Sequence, residues 1–397
     1  MSEVFGRDRI VERMWKRLEN KSVVFLAERR VGKTTVLDLI KNKYDNDCIV
    51  IYSDLEKIST PIELVENVLN STYEYQNKRG KVFKHFKDLK SLFSDVEQIG
   101  KVKFSKEKEK EWKPLLVKAI TSICKQSDER VVFLWDEIPY MLQKIHYNEI
   151  KQNSAGTSAI DIMDTLRALM GEIDNLRFVY TGSIGLHHVI SDIAGGLASQ
   201  PTNNMDTIEL KPLHIDDAKE MTKFYLEKEQ IEYKDEVIEM ICTQCDCIPF
   251  YIDKTIKKLS LIEELIDRKN VNTVISKMIV DASNELEMEH FRDRLSKYYK
   301  GNVKDVNGDK IKKFQIAKDL LGFLATSKEA QSINACDQYI RSLYKLDDRD
   351  MIIKILDYLA KDYYIEKNLD NHYTFCFMLI KRWWIMAEGL ESSKDIS

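Results

Sequence analysis

Short apolar runs, too continuous to alternate, punctuate the first half of the chain: Val23–Leu26, Cys48–Tyr52, Val131–Trp135 and Leu176–Tyr180. Strands that are apolar on both faces belong to a parallel sheet covered by helices on either side. The segments between them carry helical spacing. Ile10, Val11, Met14, Trp15 and Leu18 share one face, and Val36, Leu37, Leu39 and Ile40 share another. Thr60-Pro61-Ile62-Glu63 has the cap, Pro and Glu order that opens a helix, which continues through Leu64, Val65, Val68 and Leu69. Trp112–Lys125 and Ser158–Glu172 read as two more helices. Gly195-Gly196 and Pro201–Asn204 mark a loop before a last short strand, Thr207–Leu210. Strands and helices in alternation predict an α/β fold, a parallel αβα sandwich.

The pattern changes at Pro212. Helix follows helix: Ile215–Lys228, Lys234–Cys245, Pro249–Ile266 and Val271–Leu295. This predicts a separate all-α domain. Gly301–Gly308 is polar and reads as a loop. Beyond it lie helical patterns over Ile316–Thr326, around Ala335–Leu343 and over Asp348–Lys361. Two strand patterns, Tyr363–Glu366 and Tyr373–Phe377, flank a turn at Asp370-Asn371. Three helices and a hairpin predict a winged helix, closed by a helix whose Leu379, Ile380, Trp383, Trp384 and Met386 form an aromatic core cluster. The expected domains are therefore 1–211, 212–300 and 301–397.

Composition narrows the class. The 397 residues are 44% hydrophobic and 32% charged, which is ordinary for a globular chain with a sizeable core. Only 14 glycines and 6 prolines fit long helices and few linkers. The N-terminus has no apolar signal region, and no run approaches the ~20 apolar residues of a membrane helix. A cytoplasmic protein with no membrane contact and seven reduced cysteines is expected. The net charge of −4 supplies no overall pull toward a phosphate backbone. Locally, the stretch 78–113 is rich in lysine, with Phe83, Phe86, Leu89, Leu92 and Phe93 interleaved. It could serve as a basic contact surface. Glu107, Glu109 and Glu111 alternate with its last lysines, which favours a solvated charged insertion.

The candidate chemistry starts at Val23. A buried strand leads into Glu28-Arg29-Arg30-Val31-Gly32-Lys33-Thr34-Thr35 and then a helix. Strand, loop, Gly-Lys-Thr and helix is the setting of a phosphate-binding P-loop. Successive backbone N–H groups and the helix N-terminus favour anions there. Lys33 is placed to reach β- and γ-phosphates, and the Thr34 hydroxyl to hold Mg²⁺. The first glycine of the motif is Ala27, so the loop must leave the strand with a negative φ. Val131–Trp135 ends in Asp136-Glu137, and ligands of open α/β sheets sit at the carboxyl ends of strands. Asp136 could fix the Mg²⁺ shell, and Glu137 could position and deprotonate water. The next strand ends in Thr181-Gly182-Ser183. These hydroxyls read either as a γ-phosphate sensor or as a turn using them for its own backbone. Phe5-Gly6-Arg7 lies just upstream of the loop strand, where it could cover a nucleotide base or simply pack a helix. Arg167 and Arg177 read as surface arginines, with phosphate or inter-subunit contacts as the alternative. Cys242, Cys245 and Cys247 lack a fourth metal ligand nearby and continue the apolar face of Val237, Ile238 and Ile241. The third helix of the expected winged helix sets Asp347, Asp348, Asp350, Asp357 and Asp362 against Arg349, Lys354 and Lys361. That balance disfavours DNA as a partner.

Taken together, Phe5-Gly6-Arg7-Asp8, the loop with its paired arginines, Trp135-Asp136-Glu137-Ile138-Pro139 and Tyr180-Thr181-Gly182-Ser183-Ile184-Gly185 resemble the prokaryotic archaeal-ATPase group. That group is related to the STAND class of AAA+-like P-loop ATPases. The closing Phe375-x-Phe377-x-Leu379-x-x-x-Trp383-Trp384 resembles the end of such proteins. The resemblance implies an αβα core, a helical lid and a winged helix, with ATP and Mg²⁺ as ligands. It implies that Phe5, Gly6 and Arg7 line the adenine pocket, and that Arg29, Arg30, Val31, Gly32, Lys33, Thr34 and Thr35 hold phosphate. Thr181 or Ser183 would sense it. Pro249 would match a lid motif touching nucleotide, although the glycines expected before it are Asp246 and Cys247 here. The implied function is a slow ATPase switch whose ATP or ADP state controls self-association or a separate effector protein, with a defence or stress response as one setting. The alternative is a DNA-binding initiator or loader using the winged helix and the lysine-rich arm.

Overall fold

The computed structural model describes residues 3–43, 48–79, 102–126, 128–183, 185–194, 201–281 and 283–390, without the side chains of 43, 78, 79, 106 and 183. Two compact units emerge. One holds Arg7–Arg29 and Lys33–Leu210; the other holds the chain from Lys211 onward, with the segment ending at Gly6 and with Arg30–Gly32.

In the first unit, β1 (Val23–Ala27), β2 (Ile49–Asp54), β3 (Val131–Asp136), β4 (Leu176–Ser183) and β5 (Asp206–Leu210) form one sheet in the order β2-β3-β4-β1-β5. Each pairing is parallel. Helices α1 (Asp8–Leu18), α2 (Lys33–Lys43) and α3 (Pro61–Arg79) come early, followed by α4 (Trp112–Lys125), α5 (Ile138–Lys151), α6 (Ser158–Glu172) and α7 (Leu186–Ala194). The apolar runs become strands because they are buried on both faces: Val131 through Leu134 are fully buried, as are Phe178 and Val179. Phe133, Trp135, Phe178 and Tyr180 pack their rings across β3 and β4 at 4.9–6.2 Å. Helix α5 has no counterpart among the sequence expectations; Pro139 opens it.

The lysine-rich stretch from 80 to 101 and the pair Gly195-Gly196 lie outside the described residues. Where the insertion re-enters, Glu107, Glu109 and Glu111 are exposed, as a solvated charged run should be, but the segment just before them is docked. Asn70 accepts from Val102 N at 2.7 Å and donates to Val102 O at 3.2 Å, and Glu66 accepts from Phe104 N at 2.7 Å. Val102 and Phe104 are buried in the core of this unit. Arg177 donates to the carbonyls of Leu18 and Glu19, both at 3.0 Å, so it closes the C-terminal end of α1 as a structural residue.

The second unit begins with α8 (Ile215–Lys228), α9 (Glu236–Gln244), α10 (Pro249–Leu259), α11 (Arg268–Val280) and α12 (Glu289–Tyr298). The helix expected over Val271–Leu295 is two helices. Asn284 and Glu287 take left-handed backbone between them, and Asn284 Oδ1 accepts from Met288 N at 2.8 Å. The loop expected at Gly301–Gly308 is the turn of a small hairpin, β6 (Asn302–Lys304) with β7 (Lys310–Lys312). Then come α13 (Lys313–Thr326), β8 (Gln331–Ser332), α14 (Ile333–Tyr344), α15 (Arg349–Lys361), β9 (Ile365–Lys367), β10 (His372–Phe375) and α16 (Met378–Ala387). Strands β8, β10 and β9 form an antiparallel sheet in that order. Trp384 is fully buried in α16.

The charge count along α15 needs correcting. Asp348 caps the helix, accepting from Met351 N at 2.9 Å, and Asp347 is paired with Arg341. Asp362 is buried and accepts from the Tyr299 hydroxyl at 2.8 Å. Only Asp350 and Asp357 lie within the helix as exposed acids, beside exposed Lys354 and Lys361. No described helix is long and apolar enough to cross a membrane.

Candidate functional site

The site is assembled at the carboxyl ends of β1, β3 and β4. Strand β1 stops at Ala27, which pairs with Ser183 and Leu210 and keeps negative φ, as the missing glycine requires. The loop makes its turn later, with left-handed backbone at Arg30 (φ 71°) and Gly32 (φ 103°). Gly32 carries this freely; Arg30 carries it against the preference of a side chain. Arg29 sends its guanidinium to the Tyr140 hydroxyl on α5 at 3.0 Å. The Arg30 guanidinium stands 4.5 Å from the Phe250 ring centroid and pairs with Glu287. Val31 is fully buried. Lys33 begins α2, with Thr34 exposed in the first turn and Thr35 half-buried beside it.

Lys33 Nζ lies 3.0 Å from Asp136 Oδ1 and 3.0 Å from Glu137 Oε1. The three side chains are 12%, 10% and 18% exposed, so the lysine is shared by two carboxylates with little water between them. Asp136 Oδ1 also accepts from Glu137 N at 3.0 Å and from the Thr181 hydroxyl. Glu137 takes left-handed backbone (φ 57°), which turns the chain sharply out of β3 into α5. A non-glycine residue held there costs on the order of 1 kcal/mol, repaid by contacts around it. The electrostatics of this sheet end are registered by Tyr52 on β2. Its phenol is pushed up to about 12, first by burial and then by the charges of Asp136, Asp54, Asp38 and Glu137.

Strand β4 lies between β3 and β1. Its Thr181 is buried and its hydroxyl donates to Asp136 rather than to the backbone of a local turn. The Ser183 side chain lies outside the described part. Gly182 is needed for a different reason: a Cβ there would meet the Pro139 ring at 2.4 Å.

The remaining expected residues make other contacts. Phe5 packs against Phe224 and Tyr225 with centroids at 5.5 and 6.3 Å. Gly6 has φ 61° and sits against Asp217, where a Cβ would come within 2.5 Å of the carboxyl. Arg7 is buried at the start of α1. Pro249 opens α10, and the two positions before Ile248, Asp246 and Cys247, both take left-handed backbone (φ 52° and 53°) without glycine. Asp246 has a compensating partner: its carboxylate accepts from Met378 N at 2.9 Å and Leu379 N at 2.8 Å, capping α16. Cys242 and Cys245 are core residues, their sulfurs 3.2 and 3.3 Å from the hydroxyls of Thr222 and Thr255. Burial lifts the Cys245 thiol to about 12. Tyr140 and Glu28 were not singled out by sequence. Tyr140 follows the Asp-Glu pair by one turn of helix, and that spacing was its one available signal.

Among solved structures, the chain is similar to a Walker-type ATPase of Pyrococcus abyssi, with a TM-score of 0.59 and 16% identity over 96% of each chain. The Aeropyrum pernix ORC2 protein superposes with a TM-score of 0.49 and 10% identity, over 96% of this chain and 93% of that one. The Thermotoga maritima RuvB Holliday junction branch migration motor gives 0.41 and 13%, over 98% and 96%. No family model matches the sequence, and no curated protein matches it. The chain thus has the fold of a Walker-type ATPase, an α/β P-loop fold.

Proposed function

We propose that this chain is a cytoplasmic ATP-binding, slowly hydrolysing switch of the AAA+-like, STAND-related kind. The observation that carries the reading is Lys33 Nζ held between Asp136 and Glu137 over the end of β4. A lysine of a phosphate loop, two acids and a hydroxyl at one sheet end are the parts that phosphoryl transfer needs. When nucleotide enters, Lys33 turns from the acids to the β- and γ-phosphates. Glu137 is then free to act as general base, and Thr181 follows the γ-phosphate through its bond to Asp136. Thr34 and Asp136 offer a hydroxyl and a carboxylate, the hard oxygen donors Mg²⁺ takes, in a field already negative at Tyr52. Bound Mg²⁺ would neutralise developing phosphate charge. Phe5, Gly6, Arg7, Arg29, Arg30 and Pro249 keep the nucleotide-binding roles that the family resemblance implies. We assign 1–211 as the ATPase core, 212–300 as a lid and 301–397 as a winged helix; the order β8-β10-β9 around α13, α14 and α15 supports the last. Nucleotide state would control self-association or a partner effector.

The test is equilibrium binding of ATP and ADP, with phosphate release followed in parallel. Lys33→Ala should lose binding at least a hundredfold, and Glu137→Gln should bind ATP without releasing phosphate. Equal binding by wild type and Lys33→Ala would sink the reading.

A second reading, a DNA-acting loader, is favoured by α15. With Asp362 buried against Tyr299, Lys354 and Lys361 flank Tyr358 at 6.0 and 5.7 Å. Duplex binding that loses about two from its salt slope in Lys354→Ala/Lys361→Ala would support it. Absence of salt-dependent binding would remove it.

A further inference from the structure

The three basic side chains of the phosphate loop are each engaged from within the protein. Lys33 is held by Asp136 and Glu137, Arg29 by Tyr140, and Arg30 by Glu287 and the face of Phe250. One further contact differs in kind. Glu28 Oε1 accepts from the Arg29 backbone N–H at 2.7 Å, and the residue is only 3% exposed. The backbone N–H groups of such a loop are what grips an arriving phosphate. Here one of them is already closed on a carboxylate of the loop itself. The bond is short and charge-assisted, and the carboxylate is nearly dry.

We propose that Glu28 is an internal stand-in for phosphate that sets the loop's preference among polyphosphates by their charge. The inference rests on the reading of this loop as a nucleotide site. An incoming phosphate must displace the carboxylate from the Arg29 N–H or lie beside it. Displacement forfeits a charge-assisted bond and strands a buried anion; coexistence places like charges about 5 Å apart in partly buried surroundings, enough to weaken binding more than tenfold. Either cost grows with the charge that arrives, so the triphosphate is penalised more than the diphosphate. The loop therefore rests closed and takes ATP only when other contacts, including Mg²⁺ and the release of Lys33, outweigh Glu28.

Glu28→Gln isolates the charge, since it keeps an acceptor for the Arg29 N–H and nearly the same volume. Glu28→Ala removes the acceptor as well and serves as the second variant. ATP and ADP affinities, measured with Mg²⁺ at fixed ionic strength on the full chain, read the effect. Circular dichroism melts verify folding. We expect Glu28→Gln to tighten ATP at least tenfold and ADP by clearly less, with Glu28→Ala shifting in the same direction. An ATP affinity unchanged or weakened in both variants, with wild type binding normally, overturns the role of Glu28 alone. No binding by wild type or either variant overturns the nucleotide reading and this inference with it. Binding by the variants only is the strongest support, because it shows the stand-in holding the site shut.

Discussion

Gly182 and Pro139 are in such close contact that one hydrogen is all the strand can present: a Cβ on Gly182 would lie 2.4 Å from Pro139 Cδ and 2.5 Å from Cγ. Neither side can yield cheaply, because the ring is rigid and Gly182 pairs with Leu26 within the sheet. Gly182→Ala should therefore cost about 1–3 kcal/mol in chemical denaturation. Pairing it with Pro139→Ala should recover most of the loss, and an additive double mutant would argue that the contact is not the cause.

The Lys33 cluster makes a prediction about stability as well as binding. Lys33→Met removes the cation that stands 3.0 Å from both Asp136 and Glu137 and leaves two poorly solvated carboxylates side by side. Breaking one partner of such a pair costs about 3 kcal/mol. Glu137→Gln in the same chain should restore much of the loss, because one of the two buried charges is then gone. Urea unfolding of the single and double variants at pH 7 measures both effects.

Asn70 imitates a strand partner for Val102, giving and receiving one hydrogen bond. Asn70→Ala should release that segment at a cost of roughly 1–2 kcal/mol, since two backbone groups lose their partners. Limited trypsin digestion should then cut at Lys103 markedly faster than in wild type. An unchanged cleavage rate would mean that Glu66 and the burial of Phe104 hold the segment unaided.

Asp246 gives the second unit a pH dependence whose sign can be worked out. Burial lifts its carboxyl from 3.8 to about 6, against the pull of the Leu379 and Met378 N–H groups and of Arg382. Between those values the folded chain holds the proton more tightly than the unfolded chain. This contribution to stability is full below about 4, falls as pH rises through about 6, and is flat beyond. The change is on the order of 3 kcal/mol at most. Melting curves from pH 4 to 7.5 should show wild type losing stability across that window relative to Asp246→Asn, which has no proton to lose there. Parallel curves would assign the pH dependence to other groups.

Much of the site was legible because its chemistry sits in contiguous motifs at the ends of apolar runs. Lys33, Asp136, Glu137 and Thr181 come together as their positions at the carboxyl ends of β1, β3 and β4 required. What the sequence concealed was long-range. Nothing in Val102-Lys103-Phe104 distinguishes a docked segment from the charged run around it; the distinction lies in Asn70 and Glu66, more than thirty residues earlier. Counting charges along α15 placed one acid too many on its surface, because Asp362 is buried against Tyr299. The turn before Pro249 shows the same limit. Glycine is the usual signal for left-handed backbone, and Asp246 takes that shape instead through its grip on α16.

The insertion of β4 between the phosphate-loop strand and the acidic strand fixes a gauge. Neighbouring strands stand about 4.8 Å apart, so β1 and β3 are separated by roughly 10 Å. Adjacent strands would leave the loop and the acids pressed together with no berth between them. With one strand as spacer, the Lys33 side chain spans the gap to Asp136 and Glu137, and on the proposed reading the same gap would take a phosphate group and its metal ion. On that reading the order of strands in the sheet, more than any single side chain, would set the size of the group held there.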